Sequence, residues 1–398
     1  MKELTLRKIA EACHGTVAPE AETVTVTGVQ SDSRRVRPGD LFVAIKGEKA
    51  DGHDFVAMAA SLGAKAALVA RPVEAPIPTI LVADTIRAYG DLAAAYREHA
   101  GITVIGITGS VGKTSVKEIV RAILTAASSP EAVLYTEGNS NNQIGVPQNL
   151  LRLNSRHRYA VIEMGTNHHG EIEPLSRMAE PLASLVNSIA PCHLEFLGSL
   201  EGVAREKSHI FCGLPESGAA VIPADGPAVE VLETAAESYR VFRFGEDVSR
   251  CDAAARYLGG TLEGSRFELS FRTGERFTLE WALTGRHQAR NAAAAAALAV
   301  AIGIPPETIA AGVVHARLPG MRSKVTRLDG VTYVNDAYNA NPGSMRAALA
   351  NLAEFADPAR LVLVLGEMRE LGGSEAAEHR ALVENALQTF PGVRLLTV

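Results

Sequence analysis

The sequence predicts an α/β protein, because short apolar strands alternate with helical stretches along most of the chain. The stretches "ITVIGI", "YAVIE" and "ASLVNSIA" are typical of short buried strands. Between them, apolar side chains recur at helical spacing, as at Val116, Ile119, Val120, Ile123 and Leu124. This alternation favours a parallel sheet covered by helices on both faces. A length of 398 residues agrees with two to three domains.

Residues 1–96 form the first predicted domain, a small α/β unit. The stretch "TVTVTGVQSDSRRVRPGDLFVAI" alternates short strands with polar turns, and "DFVAMAASLGAKAALVA" indicates a helix, a glycine break and a strand. The second predicted domain, residues 97–318, begins at "ITVIGI". Its alanine-rich stretch "NAAAAAALAVAIG" predicts a helix that packs closely on the sheet, since small side chains permit short distances.

The third predicted domain, residues 319–398, contains three strand candidates, "VTYVND", "RLVLVLGE" and "VRLLTV". The last of these ends the chain without a covering helix. We therefore expect the third domain to be incomplete here.

Composition narrows the class of protein. No stretch of 18 apolar residues is present, so we expect no membrane span. The charged N-terminus does not have the pattern of a signal peptide, and four widely spaced cysteines are typical of reduced thiols in the cytoplasm. A net charge of −6 argues against a nucleic-acid partner.

The stretch "GITGSVGKTSVKE", residues 106–118, predicts a phosphate-binding loop between a strand and a helix. The first glycine of the strict pattern would fall at Ile107, and Gly106 and Gly109 flank that position. Backbone N–H groups at a helix N-terminus attract phosphate, Lys113 would reach the β- and γ-phosphates, and the Thr114 hydroxyl would bind Mg²⁺. An ordinary strand-to-helix turn is the alternative. The predicted nucleotide-binding residues of the loop are Gly109, Ser110, Gly112, Lys113, Thr114 and Ser115.

Three further residues are candidates for the same edge of the sheet. Glu163 ends the strand "YAVIE", and His193 follows "SLVNSIAPC", so both should project where ligands bind in open α/β sheets. Both side chains can bind Mg²⁺. The residues alone leave open a solvated strand end for Glu163 and a structural histidine at 193. Lys207, in "LEGVAREKSHIF", is from the residues alone better interpreted as a surface lysine on a helix.

Four stretches carry a resemblance to a known family: "ITGSVGKTSVKE", "VIEMGTNHHGEI", "APCHLEFLGSLEGVAREKSHIF" and "NDAYNANPGSM". The chain resembles the Mur ligases, ATP-dependent amide-forming enzymes of peptidoglycan synthesis, from about residue 25 to its end. The last stretch, with "LGEMRELG" behind it, is most similar to the member that adds D-alanyl-D-alanine to a UDP-N-acetylmuramoyl-tripeptide. The stretch "SDSRRVRPGDLFVAIKGEKADGHDF" is similar to the uridine-nucleotide domain of that family.

The resemblance implies a central P-loop ATPase-like domain, a C-terminal Rossmann-like domain, ATP as a substrate and two Mg²⁺ ions. It implies that Glu163 is a shared Mg²⁺ ligand, that His193 is a ligand of the second ion, and that Lys207 reacts with CO₂ to form a metal-binding carbamate. Lys113, Lys207, Asp336 and His193 would be catalytic. The other implied nucleotide-binding residues are His287, Asn291 and Arg322. The implied substrate-binding residues are Ser33, Arg34 and Asn142 for the uridine-linked substrate and Asn339, Asn341 and Ser344 for the dipeptide.

Other functions remain open from the sequence. Another Mur-type ligase is the nearest, although "YNANPGSM" differs from the signature of the member that adds the third residue. A folylpolyglutamate-synthase-like ligase is more distant, and a P-loop kinase or nucleotide switch belongs to a different class. We expect a monomer, and the third residue of the tripeptide could be diaminopimelate or lysine.

Overall fold

The computed structural model describes residues 1–398, and its alternating helices and strands confirm the α/β class. In chain order, the strands are β1 (Leu4–Thr5), β2 (Thr25–Val26), β3 (Gly28–Gln30), β4 (Asp40–Val43), β5 (Ala66–Val69), β6 (Thr79–Leu81), β7 (Thr103–Thr108), β8 (Val133–Tyr135), β9 (Tyr159–Glu163), β10 (Ala183–Val186), β11 (Ala219–Pro223), β12 (Arg240–Gly245), β13 (Ala253–Gly260), β14 (Ser265–Phe271), β15 (Arg276–Trp281), β16 (Lys324–Leu328), β17 (Val331–Asn335), β18 (Val362–Leu365) and β19 (Arg394–Thr397).

The helices, in chain order, are α1 (Leu6–Ala12), α2 (Val56–Ser61), α3 (Thr85–Glu98), α4 (Lys113–Ala127), α5 (Gly145–Leu150), α6 (Ile172–Ala179), α7 (Leu194–Leu197), α8 (Leu200–Ser208), α9 (Val229–Ala236), α10 (Arg286–Ala301), α11 (Pro306–Val313), α12 (Pro342–Leu352) and α13 (Glu375–Thr389). None of them combines the length and the apolar character that a bilayer crossing requires.

The first of two compact units comprises Met1–Thr103, Leu134–Ile162 and Arg177–Ala179. Its main sheet has the strand order β3-β4-β5-β6, with every neighbouring pair parallel. All four residues of β4 and of β5 are buried, which suits a sheet covered on both faces. The predicted glycine break follows α2 at Gly63, whose φ of +100° lies in the region that glycine tolerates best.

The second unit comprises Val104–Val133, Glu163–Ser176 and Glu180–Val398. Seven neighbouring strands of the largest sheet lie in it, in the order β15-β14-β13-β12-β11-β10-β7. The strands from β7 to β13 pair in parallel, as the sequence predicts. The remaining two, β14 and β15, pair antiparallel, so the predicted parallel sheet carries an antiparallel edge that the sequence did not indicate. The link from β14 to β15 is a tight turn with Gly274 at a φ of +111°, too short for a crossover helix.

Helix α10 is the predicted alanine-rich helix. Its residues from Ala292 to Ala299 are all buried, and it lies against β10, β11, β12 and β13. Helix α11 packs closely on α4, since a Cβ placed on Gly312 would be 2.5 Å from the Cα of Ile123. The first turns of α10 and α4 lie at the end of the phosphate loop described below.

The segment after residue 320 has its own small core. The antiparallel pair β16-β17 precedes α12, and the parallel pair β18-β19 flanks α13. The three predicted strands are confirmed as β17, β18 and β19, whereas β16 was not predicted. The buried side chains of this core are Leu349, Leu363, Met368, Leu371, Leu382, Ala386, Phe390 and Val393.

Candidate active site

The loop between β7 and α4, residues 109–112, has backbone conformations that require glycine at two positions. Gly109 has a φ of +150° and Gly112 a φ of +83°. A Cβ on Gly112 would lie 2.5 Å from Asn187 Nδ2 and 2.7 Å from Asn291 Oδ1. Because position 112 has no side chain, the loop backbone packs directly against these two asparagine side chains. We call residues 108–114 the phosphate loop from here on.

The segment after β10 fixes the shape of the phosphate loop. The Ser188 hydroxyl accepts from the Val111 N–H at 3.0 Å, and Asn187 Nδ2 donates to the Val111 carbonyl at 2.9 Å. The Ser110 hydroxyl donates to the Ala190 carbonyl at 3.1 Å and accepts from the Ala190 N–H at 3.0 Å. The Ser110 side chain therefore holds the loop in place. Asn187 and Ser188 were not among the residues predicted from the sequence, although their place at a strand end was a signal for them.

Thr114 is the point where three parts of this unit meet. Its hydroxyl donates to Glu163 Oε2 at 3.0 Å and accepts from Arg322 Nη2 at 3.1 Å. The Met164 N–H donates to the Ile107 carbonyl, which places Glu163 beside β7. Glu163 is only 2% exposed, so the alternative of a solvated strand end was wrong.

Lys113 and Ser115 begin helix α4. The Lys113 ammonium group donates to the Gly109 carbonyl at 2.7 Å, so it lies across the phosphate loop. The Ser115 side chain is buried. The positive charge of Lys113 thus sits at the N-terminus of α4, where the helix dipole also attracts anions.

The segment after residue 320 brings Arg322 and Asp336 to the same place. The guanidinium of Arg322 lies over the ring of Tyr338, with 3.9 Å between its Cζ and the ring centroid. Asp336 Oδ1 accepts from the Ser323 N–H at 2.8 Å, which fixes the turn that carries Arg322. Tyr338 had not been singled out in the sequence, because no local pattern indicates a ring stacked on a distant arginine.

Lys207 lies on α8 and is 1% exposed, so the alternative of a surface lysine was wrong. Burial, helped by the nearby Lys113 ammonium, lowers the pKa of its amine to about 8, against smaller opposing effects of Cys192 and Glu206. No carboxylate forms an ion pair with Lys207 among residues 1–398.

The adjacent Glu206 is fully buried and turns away from Lys207. Its carboxylate accepts from the N–H groups of Gly170, Glu171 and Ile172 at 2.7, 3.0 and 2.9 Å. These groups lie at the start of α6, whose N-terminus favours a negative charge. Glu206 therefore ties α8 to the segment that follows Glu163.

His193 precedes α7 with a φ of +52°, a left-handed conformation that is uncommon outside glycine. Its Nδ1 is hydrogen-bonded to Glu370 Oε2. Burial lowers the pKa of His193, and Lys207 and Lys113 lower it as well, while Glu370 acts in the opposite direction. The neutral imidazole is the form that binds metals.

His287 and Asn291 lie on the first turns of α10. Asn291 Oδ1 accepts from Asn187 Nδ2 at 3.0 Å, which places it against Gly112 of the phosphate loop. Burial lowers the pKa of His287 to about 4, so this side chain is neutral at neutral pH.

Asn339, Asn341 and Ser344 lie at the entrance to α12. Asn341 and Ser344 form a capping box, in which the Asn341 side chain accepts from the Ser344 N–H at 2.8 Å and the Ser344 hydroxyl accepts from the Asn341 N–H at 3.2 Å. The Asn339 side chain accepts from the Ala340 N–H at 2.9 Å. A cavity of about 1610 Å³ connects this region with the phosphate loop, and its lining includes Lys113, His193, Asp336, Asn339 and Glu370.

The remaining predicted residues belong to the first unit. Ser33 and Arg34 lie on a 3₁₀ turn, and Arg34 Nη2 pairs with Asp32 Oδ2 at 2.8 Å on the surface. Asn142 Oδ1 accepts from the N–H groups of Ile144 and Gly145 and so fixes the entry to α5. A role in uridine-substrate binding stays a prediction for these three residues.

Side chains of the second unit fit two of the groups that the sequence predicts, one Mg²⁺ and a phosphate chain. Thr114 and Glu163 place two oxygens side by side, which are the ligands that Mg²⁺ prefers. The guanidinium of Arg322 already contacts the Thr114 hydroxyl, so this spot accepts positive charge. The glycine-restricted loop and Lys113 suit a phosphate chain.

Comparisons with known proteins agree over most of the chain. Residues 25–107 match the family described as "Mur ligase family, catalytic domain", residues 107–299 the "Mur ligase middle domain", and residues 321–393 the "Mur ligase, glutamate ligase domain". The chain is 42% identical over 387 residues to the UDP-N-acetylmuramoyl-tripeptide--D-alanyl-D-alanine ligase of Escherichia coli, which covers 97% of this chain and 84% of that protein.

Two crystal structures extend this similarity to three dimensions. That of MurF from Acinetobacter baumannii has a TM-score of 0.92 at 32% identity and covers 100% of this chain and 90% of that one. That of the MurF ligase from Thermotoga maritima in complex with ADP has a TM-score of 0.82 at 27% identity and covers 93% and 84%.

Proposed function

The chain belongs to the Mur ligase family, and we propose that it is an ATP-dependent ligase that joins D-alanyl-D-alanine to a UDP-N-acetylmuramoyl-tripeptide in peptidoglycan precursor synthesis. The observation that carries the proposal is the meeting of three elements at Thr114. The phosphate loop, the Glu163 carboxylate and Arg322 from the segment after residue 320 all contact or include this one residue. A phosphate activated there would lie beside the cavity in which an acid and an amine could meet.

Joining an acid to an amine requires that a carboxylate oxygen becomes a leaving group. In the proposed reaction, the carboxylate of the tripeptide attacks the γ-phosphate of ATP, so that a new O–P bond forms and the bond to ADP breaks. The neutral amine of D-alanyl-D-alanine then attacks the acyl phosphate carbon. The resulting tetrahedral intermediate expels inorganic phosphate, loses a proton and leaves an amide.

Charge repulsion is the main obstacle to the first step. A carboxylate and a phosphate oxygen at ~4 Å repel by about 4 kcal/mol at an effective dielectric constant near 20. This repulsion corresponds to roughly three decades in rate. The Lys113 ammonium and the N–H groups at the start of α4 oppose it, because they hold positive charge where the phosphates would bind. Arg322 adds a second cation at Thr114.

Two divalent ions complete the proposed site. Thr114 and Glu163 would hold one Mg²⁺, and His193 with Lys207 would hold the other. Bound Mg²⁺ supplies charge neutralisation for the phosphoryl transfer. As an ammonium, Lys207 would repel a cation. As a carbamate it carries a negative charge and carboxylate-like oxygens suited to Mg²⁺.

The burial of Lys207 favours this modification. Carbamate formation joins the neutral amine to CO₂ through a new N–C bond and releases a proton. With a pKa of about 8, roughly half of the amine is neutral at pH 8, compared with well under 1% for an ordinary lysine. The lack of a carboxylate partner for Lys207 leaves its Nζ available for the reaction.

The other predicted residues take positions around this centre. We assign His287 and Asn291 to the nucleotide, since Asn291 adjoins Gly112 of the phosphate loop. We assign Asn339, Asn341 and Ser344 to the dipeptide side of the cavity. Because the side chains of Asn341 and Ser344 cap α12, we infer that they shape the entrance of that helix instead of offering free polar groups.

An ADP-release assay tests the proposed function. ADP is measured with the uridine-linked tripeptide alone, with D-alanyl-D-alanine alone and with both, and the tripeptide is supplied in a diaminopimelate and a lysine form. A ligase releases ADP at its full rate only with both substrates and yields the pentapeptide product. A rate that is independent of the amine would indicate a kinase or nucleotide switch and would refute the proposal.

A further inference from the structure

The segment between β18 and α13, residues 366–374, is a firmly built part of the structure. Met368 and Leu371 are 0% and 1% exposed and belong to the core around α12 and α13. The Met368 N–H donates to His379 Nε2 at 2.9 Å, which fastens the segment to α13. We call residues 366–374 the docking segment. The docking segment is therefore anchored to the core around α12 and α13.

The docking segment touches α7 through backbone atoms as well as side chains. The Glu195 N–H donates to the Glu370 carbonyl at 3.4 Å. A Cβ on Gly372 would be 3.1 Å from the Cα of Glu195, so a glycine permits the close approach. Glu370 has a φ of +61° and His193 a φ of +52°, two left-handed conformations that are uncommon for residues other than glycine. Two such conformations at one contact indicate a specific fit.

This fit brings the Glu370 carboxylate to Nδ1 of His193. A carboxylate at Nδ1 accepts the proton of that nitrogen and leaves Nε2 with its lone pair. Histidines that bind metals commonly donate their other N–H to a carboxylate, which fixes the tautomer and the ring orientation. Glu370 also adds negative charge near the ammonium groups of Lys113 and Lys207, both of which act on His193.

We propose that Glu370 is a positioning residue that orients His193, with Nε2 towards the second Mg²⁺, so that this metal site is complete only when the docking segment lies against α7. The inference rests on the proposed function, because it takes His193 as a metal ligand. The "LGEMRELG" stretch thereby has a role that the residues alone did not indicate. Through Glu370, the position of the docking segment determines the orientation of the metal ligand His193.

The first test is a Glu370→Gln variant of the full chain. Loss of a carboxylate behind a ligating histidine typically weakens metal binding by about 10- to 100-fold. We therefore expect the half-saturating Mg²⁺ concentration for ADP formation to rise about tenfold or more. Mn²⁺ binding, measured by electron paramagnetic resonance without turnover, should weaken by a similar factor at one of two sites. Glu375→Gln, which removes the same charge from the exposed start of α13, should change neither quantity.

A second readout needs no metal. With ¹⁵N-labelled histidine, the ring nitrogens of His193 in the parent protein should show the Nδ1–H tautomer. In Glu370→Ala, which removes the acceptor altogether, the population should shift towards Nε2–H. Glu375→Ala should leave the His193 signals unchanged. An unaltered tautomer in Glu370→Ala would overturn the proposed orientation, even if activity were lower.

A double variant separates this inference from the proposed function. If Glu370 acts through His193, Glu370→Gln should cause no further loss of Mn²⁺ affinity in a His193→Ala background. Additive losses would mean that Glu370 binds the ion itself and would refute the positioning role. If His193→Ala alone leaves metal binding unchanged, the metal-ligand assignment of the proposed function fails. If His193→Ala weakens binding and Glu370→Gln does not, only the further inference fails.

Discussion

Replacing Lys207 by methionine should stabilise the second unit while abolishing ligation. The amine is 1% exposed, and burial together with the nearby Lys113 ammonium lowers its pKa from 10.5 to about 8. A shift of one pKa unit corresponds to about 1.4 kcal/mol, so holding Lys207 as an ammonium costs the folded state about 3 kcal/mol. Methionine fills a similar volume without the charge. The variant should therefore gain up to about that amount of unfolding free energy at pH 7.

The stability gained in Lys207→Met should depend on pH. Below pH 8 the lysine is charged in the folded and the unfolded chain, so the full cost applies. Between pH 8 and 10.5 the unfolded chain binds more protons than the folded chain, and the stability of the parent rises with pH. The advantage of Lys207→Met should accordingly be complete at pH 7, shrink above pH 8 and vanish near pH 10.5.

Urea unfolding in CO₂-depleted buffer measures the effect, since CO₂ would convert the amine to a carbamate. Because the chain has two compact units, hydrogen exchange of peptides from α8 should identify the relevant transition. Lys8→Met, an exposed lysine on α1, should change stability by no more than about 0.5 kcal/mol. A Lys207→Met variant that is no more stable than the parent at pH 7 would refute the claim that a buried charge is held there at a cost.

Three further predictions concern the same unit. Lys113→Ala should nearly abolish ADP formation with an unchanged circular dichroism spectrum, because its ammonium contacts only the Gly109 carbonyl; near-normal turnover would rule out the phosphate-loop assignment. Lys207→Ala should lose most activity and regain part of it when short carboxylic acids are added. Lys207→Arg should be as impaired as the alanine variant, and a fully active arginine variant would contradict a carbamate. Glu206→Ala should lower the unfolding free energy by about 3 kcal/mol, since three N–H groups at the start of α6 lose a charged acceptor; urea unfolding that shows less than about 0.5 kcal/mol would mean that water replaces the carboxylate.

Local patterns in the sequence predicted the elements whose structure depends on near neighbours. The strand β7, the glycine-bearing loop and helix α4 follow from apolar periodicity and glycine positions within about 25 residues. The alanine-rich α10 was predicted for a similar reason. The hairpin β14-β15 was not anticipated, because the sequence was interpreted as strands that alternate with helices, whereas a short glycine turn joins these two strands.

Contacts between distant residues were beyond the reach of such patterns. Nothing near Lys207 in the sequence separates a surface helix from a buried one, and only packing shows that its amine is desolvated. Glu206 could have been mistaken for its ion-pair partner, yet it caps α6 instead. The cap formed by Asn341 and Ser344 could have been predicted from the local sequence, but those side chains were interpreted only as dipeptide ligands.

At each of the two proposed metal sites, one residue from the segment after residue 320 contacts a residue that would bind the metal. Arg322 reaches Thr114 across 208 positions of sequence, and Glu370 reaches His193 across 177. Both contacts therefore depend on the placement of that segment against the phosphate loop and α7. An acyl phosphate hydrolyses if water reaches it before the amine does. If the metal sites are complete only when the segment after residue 320 is in place, the carboxylate is phosphorylated only when the cavity is also formed. Closure and metal binding would then be thermodynamically linked, and each should tighten the other by the same factor.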